Sequence, residues 1–248
     1  MPMIAGYVEK LFVKAAPGAP VTALAHGTAM RCSAGFGIEG DVHANRLSPR
    51  QVLITARCEL DALSLDAGVL HENLVVSLPS AASLRPGLAL VTERGVVIWL
   101  TMYCEPCQRI AVVAPDLRAL IHRRGVLGRV VEGGEIVAGD GIELVPDRYP
   151  ALPESMLLRF FEVVASIPQG RVARYRDVTI AMGAADSFVR AIPGYIRRNA
   201  GAGLPTHRIV DVKGRLPGIV QCQANRLEEE GVRVRFDAVD LNQYLWRE

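Results

Sequence analysis

The chain has 248 residues, of which 50% are hydrophobic and 22% are charged, and its formal net charge is +2. This length and composition indicate a globular protein with room for two ordinary domains. The longest apolar run, Gly95 to Cys104, is too short to cross a bilayer, and no secretory signal opens the chain. The five cysteines lack the spacing of a disulfide framework. We therefore expect a cytoplasmic protein with no membrane association.

Residues 1–146 alternate short β-rich runs with turns containing Gly and Pro, which predicts a β-rich barrel or sandwich. Two helices are predicted in this half, over Thr55–Leu65 and over Asp116–Arg124. The predicted strands are Ala5–Val13, Gln51–Thr55, Leu74–Leu78, Leu88–Val91, Val96–Thr101 and Gly141–Val145.

The proline-rich stretch around residues 147–153 predicts a linker, and a mainly helical domain is predicted over residues 154–248. The clearest helix is Ser155–Ser166, which has a wide apolar stripe. A β-hairpin is predicted with Lys213-Gly214 at its tip. The other predicted helices are Arg176–Met182, a helix capped by Ser187 that runs to Asn199, and Ile219–Glu230.

Positive charge is concentrated between Arg171 and Arg198, where six arginines face two acids, Asp177 and Asp186. A local excess of this kind suits contact with nucleic-acid phosphates. The alternative is a solvated helical face, and charge alone does not decide between the two.

The segment Pro205-Thr206-His207-Arg208 resembles the Pro-Cys-His-Arg motif of the O6-alkylguanine-DNA alkyltransferases, with Thr206 at the position of the reactive cysteine. The resemblance covers about residues 154–246. A threonine hydroxyl is far less acidic than a cysteine thiol and is a poor acceptor for an alkyl group. The resemblance therefore implies a winged-helix, alkyltransferase-like domain that binds damaged DNA but is not an active alkyltransferase.

Further motifs of that family assign roles by resemblance. Ile167-Pro168-Gln169-Gly170 leads to Tyr175, which corresponds to the tyrosine that helps rotate the target nucleotide, and Arg190 corresponds to the arginine that fills the gap left by the extruded base. The implied lesion pocket contains Thr206, His207, Arg208, Asn199 and Glu230. The implied DNA-binding residues are Tyr175, Arg190, Arg197, Arg198 and Arg174.

Two residues depart from the family pattern in the expected recognition helix. Pro193 replaces the usual glycine, and within a helix a proline removes a hydrogen bond and favours a kink. Tyr195 is bulkier than the usual alanine. Both departures bear on how the helix fits a DNA groove.

Motifs in the first half resemble, in their order, the MOSC domains, which are named after the C-terminal domain of molybdenum-cofactor sulfurases. The quoted segments include Gly37–His43, His71–Leu74, Cys104–Ile110 and Gly125–Val130, and the resemblance covers about residues 4–146. It implies a β-rich barrel with molybdenum cofactor, sulfur carriage, or reduction of N-hydroxylated substrates. The implied cofactor-binding residues are Asp41, His43, Asn73 and Arg109, with further arginines (46, 50, 123, 124 and 129) as candidates for a pterin phosphate.

Cys107 corresponds to the key cysteine of the MOSC domains, and Cys104 forms a Cys-x-x-Cys pair with it. A thiolate is suited to carry a persulfide or to ligate a soft metal such as molybdenum. A zinc half-site, a redox dithiol and a purely structural pair remain open as alternatives.

The sequence thus predicts a protein that flips modified purines out of double-stranded DNA, joined to a MOSC-like domain whose catalytic residues are Cys107 and Cys104. The alternative is a molybdenum-dependent enzyme whose C-terminal domain binds the substrate. Nucleotide-excision repair proteins and a cysteine desulfurase are the partners that these two resemblances suggest.

Overall fold

The structure is a computed structural model, and it describes residues 6–114 and 116–247. The chain divides into two compact units, Met1–Leu152 and Pro153–Glu248. Ala5, which the sequence placed at the start of the first strand, lies outside the described residues. Within the described residues, no helix has the length and apolar character needed to span a membrane.

The N-terminal unit is a closed β-barrel. Seven strands follow one another in the order β11, β7, β8, β9, β5, β6 and β1, and the pairing of β1 with β11 closes the ring. The strands of this unit are β1 (Gly6–Val13), β2 (Thr22–Ala23), β3 (Met30–Ser33), β4 (Gly37–Ile38), β5 (Val52–Ala56), β6 (Leu74–Ser77), β7 (Leu88–Thr92), β8 (Val97–Tyr103), β9 (Val126–Glu132), β10 (Gly134–Ile136) and β11 (Gly141–Pro146).

The apolar core of this unit fills the barrel, which confirms the predicted β-rich barrel. All five residues of β5 are buried, because β5 runs between β9 and β6 and is covered on both faces. The sequence analysis did not predict β9, whose run of apolar residues is interrupted by Gly128. A side chain at Gly128 would collide with Ile98, so close packing requires glycine there.

Both helices predicted in this unit differ in the structure. Thr55 belongs to β5, so the first helix, α1, spans only Arg57–Ala62. The Thr55 hydroxyl donates to the carbonyl of Arg124 at 3.0 Å, which holds it in the strand. The second predicted helix is a 3-10 turn over Leu117–Leu120, which the Asp116 side chain caps.

The segment predicted as a linker is anchored to the N-terminal unit. The Trp99 indole donates to the carbonyl of Pro150 at 2.8 Å, and the amide of Leu152 donates to the carbonyl of Thr101 at 2.8 Å.

The C-terminal unit is mainly helical and contains four short strands, in agreement with the predicted fold class. The helices are α2 (Met156–Ser166), α3 (Tyr175–Ala181), α4 (Ile192–Arg198), α5 (Gln223–Glu229) and α6 (Leu241–Tyr244). The strands are β12 (Ala173–Arg174), β13 (Ile209–Val210), β14 (Val234–Arg235) and β15 (Ala238–Val239).

The helix predicted from Ser187 to Asn199 is two elements in the structure. A 3-10 segment covers Asp186–Ala191, and α4 begins at Ile192. Pro193 therefore lies in the first turn of α4, where its missing N–H has no acceptor within the helix. The predicted kink at Pro193 was wrong, because the chain starts a new helix there.

Two further predictions for this unit were wrong in detail. The helix predicted over Ile219–Glu230 begins only at Gln223, because Cys222 has left-handed backbone angles (φ 51°). The predicted hairpin around Lys213-Gly214 is a turn closed by the Asp211 side chain, since β13 pairs in parallel with β12.

Candidate nucleic-acid interface and cysteine site

A buried ionic cluster lies next to Thr206 in the C-terminal unit. Nε2 of His207 lies 2.8 Å from Oε1 of Glu230, and Arg208 binds both oxygens of the same carboxylate at 2.7 to 3.1 Å. The amide of Gly170 donates to Oε2 of Glu230 at 3.1 Å. The cluster therefore connects the 3-10 turn Thr206–Arg208, the end of α5 and the loop before Val172.

The surroundings fix the protonation of this cluster. Burial acts to raise the pKa of Glu230, but hydrogen bonds from Arg208, His207 and Gly170 outweigh it and lower the pKa to about 2. Burial lowers the pKa of His207 further than Glu230 raises it, so the imidazole is neutral at pH 7. Because a carboxylate can only accept, Nε2 of His207 carries the proton.

That tautomer leaves Nδ1 of His207 as a bare acceptor. Among the described residues Nδ1 is buried and has no hydrogen-bond partner. The adjacent Thr206 is also buried, with 3% of its surface exposed. A neutral histidine held by a glutamate is a suitable base for a neighbouring nucleophile, but here the neighbour carries a hydroxyl.

Asn199 does not join this cluster. Its side-chain amide donates to the carbonyl of Tyr195 at 2.8 Å, and Asn199 ends helix α4. Of the predicted pocket residues, the structure thus brings Thr206, His207, Arg208 and Glu230 together and gives Asn199 a local role. Gln223 is a further member that the sequence did not show, since it donates to the carbonyls of His207 and Ile209, both at 2.9 Å.

Tyr175 is the first residue of α3 and is half-buried. Burial, and then the charge of Asp211, raises the pKa of its phenol, so the ring is neutral. Arg174 precedes it and binds both oxygens of Asp177 at 2.8 Å while its own amide is capped by the same carboxylate. Arg174, predicted to bind DNA, thus also stabilises the start of α3.

The arginines of the expected recognition segment are exposed. Arg190 lies on the 3-10 segment, and Arg197 and Arg198 lie at the end of α4. Tyr195 packs edge-on against Phe160 of α2 and against Phe188 of the 3-10 segment, at centroid distances of 5.4 Å in both cases. The large ring at 195 therefore braces the segment that carries Arg190.

In the N-terminal unit, Asp41 and Asn73 are buried and fully engaged within the protein. Asp41 accepts from the amides of Lys14 and His43 and from the Asn73 side chain, each at 2.9 Å. Burial raises the pKa of Asp41, but hydrogen bonds from the His43 ring and from the amides of Lys14 and His43 lower it by more. Since the protein itself uses both side chains, they do not fit direct cofactor ligands, and among the three predicted residues His43 is the one that faces solvent.

Cys104 and Cys107 have different surroundings. Cys104 is buried, and burial raises the pKa of its thiol, so it is a poor source of thiolate. Cys107 is half-exposed, and Nη1 of Arg124 lies 3.4 Å from its sulfur. The side chain of Arg109 lies outside the described residues, and within them no group of three or more His, Cys, Asp or Glu side chains could hold a metal ion.

Sequence reasoning gave Arg124 only as a candidate for a pterin phosphate or as an exposed residue, and it did not predict the contact with Cys107. Its side chain is buried and donates to the carbonyls of Glu105 at 2.7 Å and Leu70 at 3.3 Å, while its Nε has no partner among the described atoms. No carboxylate ion pair is present for Arg124 in the described part of the chain. The guanidinium of Arg124 therefore lies beside the sulfur of Cys107, a position from which a cation can stabilise a thiolate.

These observations define a two-unit protein: a β-barrel unit with a cysteine–arginine site, and a helical unit in which a buried histidine–glutamate pair lies next to Thr206. The family described as 6-O-methylguanine DNA methyltransferase, DNA binding domain, matches residues 156–232. The DNA base-flipping protein of Escherichia coli (strain K12) is 34% identical over 99 residues, which are 38% of this chain and 75% of that protein. The chain therefore belongs, through its C-terminal unit, to this alkyltransferase-like family.

Two solved structures resemble parts of the chain. The YuaD protein of Bacillus subtilis is 20% identical with a TM-score of 0.49, over 58% of this chain and 97% of that chain. Atl1 of S. pombe, in complex with damaged DNA containing O6-carboxymethylguanine, is 23% identical with a TM-score of 0.35, over 38% of this chain and 95% of that chain.

Proposed function

We propose that the C-terminal unit recognises modified purines in double-stranded DNA by rotating the nucleotide out of the duplex, without transferring its alkyl group. The observation that carries this proposal is Thr206 beside an intact, buried histidine–glutamate pair. The similarity to a DNA base-flipping protein supports it. The pocket keeps the means to position a base but offers a hydroxyl where alkyl transfer requires a thiolate.

Flipping has a free-energy cost that specific residues must offset. Breaking the pairing and stacking of one nucleotide costs a few kcal/mol. In the proposal the guanidinium of Arg190 enters the vacated stack, and the neutral ring of Tyr175 obstructs the target phosphate. Arg197 and Arg198, exposed at the end of α4, contact backbone phosphates and add affinity that depends on salt.

The test is the binding of the full chain to a duplex with one O6-methylguanine and to the same duplex with guanine, measured by fluorescence anisotropy. Tyr175→Ala and Arg190→Ala should each reduce the preference for the lesion. Arg176→Ala is the matched control, because Arg176 is an exposed neighbour without a proposed flipping role, and it should weaken both duplexes equally. An unchanged preference in both flipping variants would rule out this mechanism.

A second candidate function concerns Cys107, and the contact with Arg124 favours it. A thiolate held by a buried guanidinium is suited to accept a sulfane sulfur: its sulfur forms the new S–S bond while the donor cysteine leaves as a thiolate. The same thiolate is a suitable ligand for the molybdenum of a molybdenum cofactor, which when bound would supply redox chemistry. The proposal includes two partners, a cysteine desulfurase for this site and nucleotide-excision repair proteins for the DNA-binding unit. It also includes a cytoplasmic location.

The role of Arg124 can be measured on Cys107 itself. Iodoacetamide labelling of Cys107, followed by peptide mass spectrometry across pH, should give an inflection at lower pH in the wild type than in Arg124→Gln. Arg123→Gln is the matched control, because Arg123 pairs with Glu59 instead. If Arg124→Gln shows the same inflection pH for Cys107 labelling as the wild type, Arg124 does not stabilise the thiolate of Cys107. If molybdenum and pterin co-purify with the wild type but not with Cys107→Ser, this result would support Cys107 as a ligand of a molybdenum cofactor.

A further inference from the structure

A small antiparallel sheet in the C-terminal unit has an outer face rich in arginine. β14 pairs with β15, and Arg215 forms an antiparallel bridge to Ala238 on the other side. Residues directly opposite each other in an antiparallel pair point to the same face. Arg235 and Arg215 therefore lie on either side of the small Ala238, on one face of this sheet.

The alternation along the chain places a third arginine on that face. Val232 and Val239 are buried in an apolar cluster, and Val234 packs against it. Because side chains alternate along a strand, Arg233 and Arg235 point to the opposite, outer face. Arg233 thus lies next to Arg235, and all three arginines are exposed.

The charge of these arginines is only partly balanced by nearby acids. In residues 6–114 and 116–247, no ion pair connects their guanidinium groups to a carboxylate. Two acids lie near the three arginines: Asp237 in the hairpin, and Asp211, whose carboxylate accepts from the amide of Arg215 at 2.8 Å. A patch with this excess of exposed guanidinium groups complements a polyanion.

The tip of the same hairpin carries an exposed aromatic ring. Phe236 is 101% exposed and has φ 50°, and Asp237 follows with φ 54°. Two-residue turns with positive φ at both positions favour Asn and Gly, so phenylalanine is unfavourable there in both backbone conformation and hydration. An apolar ring among cations is a combination that DNA-binding proteins use in the grooves.

We infer that Arg215, Arg233, Arg235 and Phe236 form a second DNA-contact surface, separate from the lesion pocket. The arginines bind phosphates of the duplex beside the lesion, and Phe236 contacts the sugars and base edges of the groove. This inference rests on the proposed DNA-binding function and extends it to the flanking duplex. The unpaired positive charge favours nucleic acid over a protein as the occupant.

The test compares salt dependence between two variants of the full chain that change the charge equally. Arg215→Gln/Arg233→Gln/Arg235→Gln should bind a guanine duplex about tenfold or more weakly at low salt. The slope of log K against log salt should also become shallower by about 2 to 3. The control, Lys10→Gln/Arg85→Gln/Arg118→Gln, removes three exposed cations from the N-terminal unit and should keep the wild-type slope. Equal slopes of log K against log salt in the two variants would overturn the inference. That result is expected if the surface binds a protein instead of DNA.

Phe236→Asn separates a binding role from a structural one. Asn is favoured at this turn position, so the melting temperature should stay the same or rise. DNA affinity should nevertheless fall by about fivefold or more, as expected for a lost aromatic contact. Unchanged affinity would remove Phe236 from the surface.

The outcomes for this surface and for lesion recognition are distinguishable. If the wild type prefers the lesion duplex but the triple variant behaves like its control, only the second surface fails. If the triple variant weakens binding while the wild type shows no lesion preference, lesion recognition fails and the surface stands. A wild type that binds no DNA contradicts both.

Discussion

At the scale of single residues, Thr206 and the pair His207–Glu230 determine what the C-terminal pocket can do. The pair provides a neutral imidazole whose Nδ1 is a buried acceptor without a partner in the described part of the chain. A threonine hydroxyl beside it is not ionised at neutral pH, and so it is not an alkyl acceptor. In the proposed function, this site therefore binds a base without changing it.

Incubation of the wild type with a duplex containing O6-methylguanine should leave the methyl group on the DNA and the protein mass unchanged. The physical reason is the high pKa of a hydroxyl compared with a thiol. Intact-mass spectrometry measures the protein, and digestion of the oligonucleotide measures the base. Thr206→Cys is the matched variant, since it changes the acceptor atom in a side chain of similar size. A methylated wild-type protein would contradict the assignment of Thr206 as a non-acceptor.

Acid should destabilise the C-terminal unit in two steps. The folded pKa of His207 lies below its unfolded value, so its contribution to the stability is present above about pH 6.5 and declines as the pH falls below that value. The folded pKa of Glu230 is about 2 against an ordinary 4.5, so its contribution is lost between pH 4.5 and about 2. Glu230→Gln should remove the second step. It should also cost about 3 kcal/mol at pH 7, because Arg208 keeps a buried charge without its partner.

Thermal unfolding followed by circular dichroism between pH 7 and pH 2 checks this expectation. Glu229→Gln is the control, because Glu229 is an exposed neighbour and should keep the wild-type profile. An identical acid profile for Glu230→Gln and the wild type would show that the cluster does not stabilise the fold.

At the scale of elements, the sequence predicted best where the pattern is local. Helix α2 was predicted correctly because its apolar stripe and its cap, Ser155, lie within one short segment. The sequence did not predict the contact between Arg124 and Cys107, because these residues are 17 positions apart. It also did not show the left-handed backbone of Cys222, after which α5 begins. The motifs assigned roles to Tyr175 and Arg190, but they could not show that Tyr195 packs between two other elements.

Tyr195 joins α4 to α2 and to the 3-10 segment that carries Arg190. Tyr195→Ala should destabilise the C-terminal unit by about 2 kcal/mol, since it removes two edge-on aromatic contacts and buried area. It should also weaken the preference for the lesion, because Arg190 loses its support. Tyr195→Phe keeps both ring contacts and should behave like the wild type in urea unfolding and in DNA binding. Normal lesion preference in a destabilised Tyr195→Ala protein would show that the brace serves the fold alone.

At the scale of the whole molecule, one chain combines two separately packed units with different chemistry. The N-terminal unit has a cysteine beside a buried arginine, and the C-terminal unit has a buried histidine–glutamate pair next to Thr206 and exposed arginines on α4 and on the small sheet. Both cores are complete within their own units, so loss of Cys107 chemistry should leave DNA binding intact. The central claim is that the C-terminal unit recognises a modified purine despite Thr206.

The most direct test of that claim is the anisotropy comparison of the O6-methylguanine duplex with its guanine counterpart. The wild type should bind the lesion duplex more tightly, with a preference that Tyr175→Ala and Arg190→Ala each diminish and that Arg176→Ala retains. Equal affinity of the wild type for the two duplexes would contradict it.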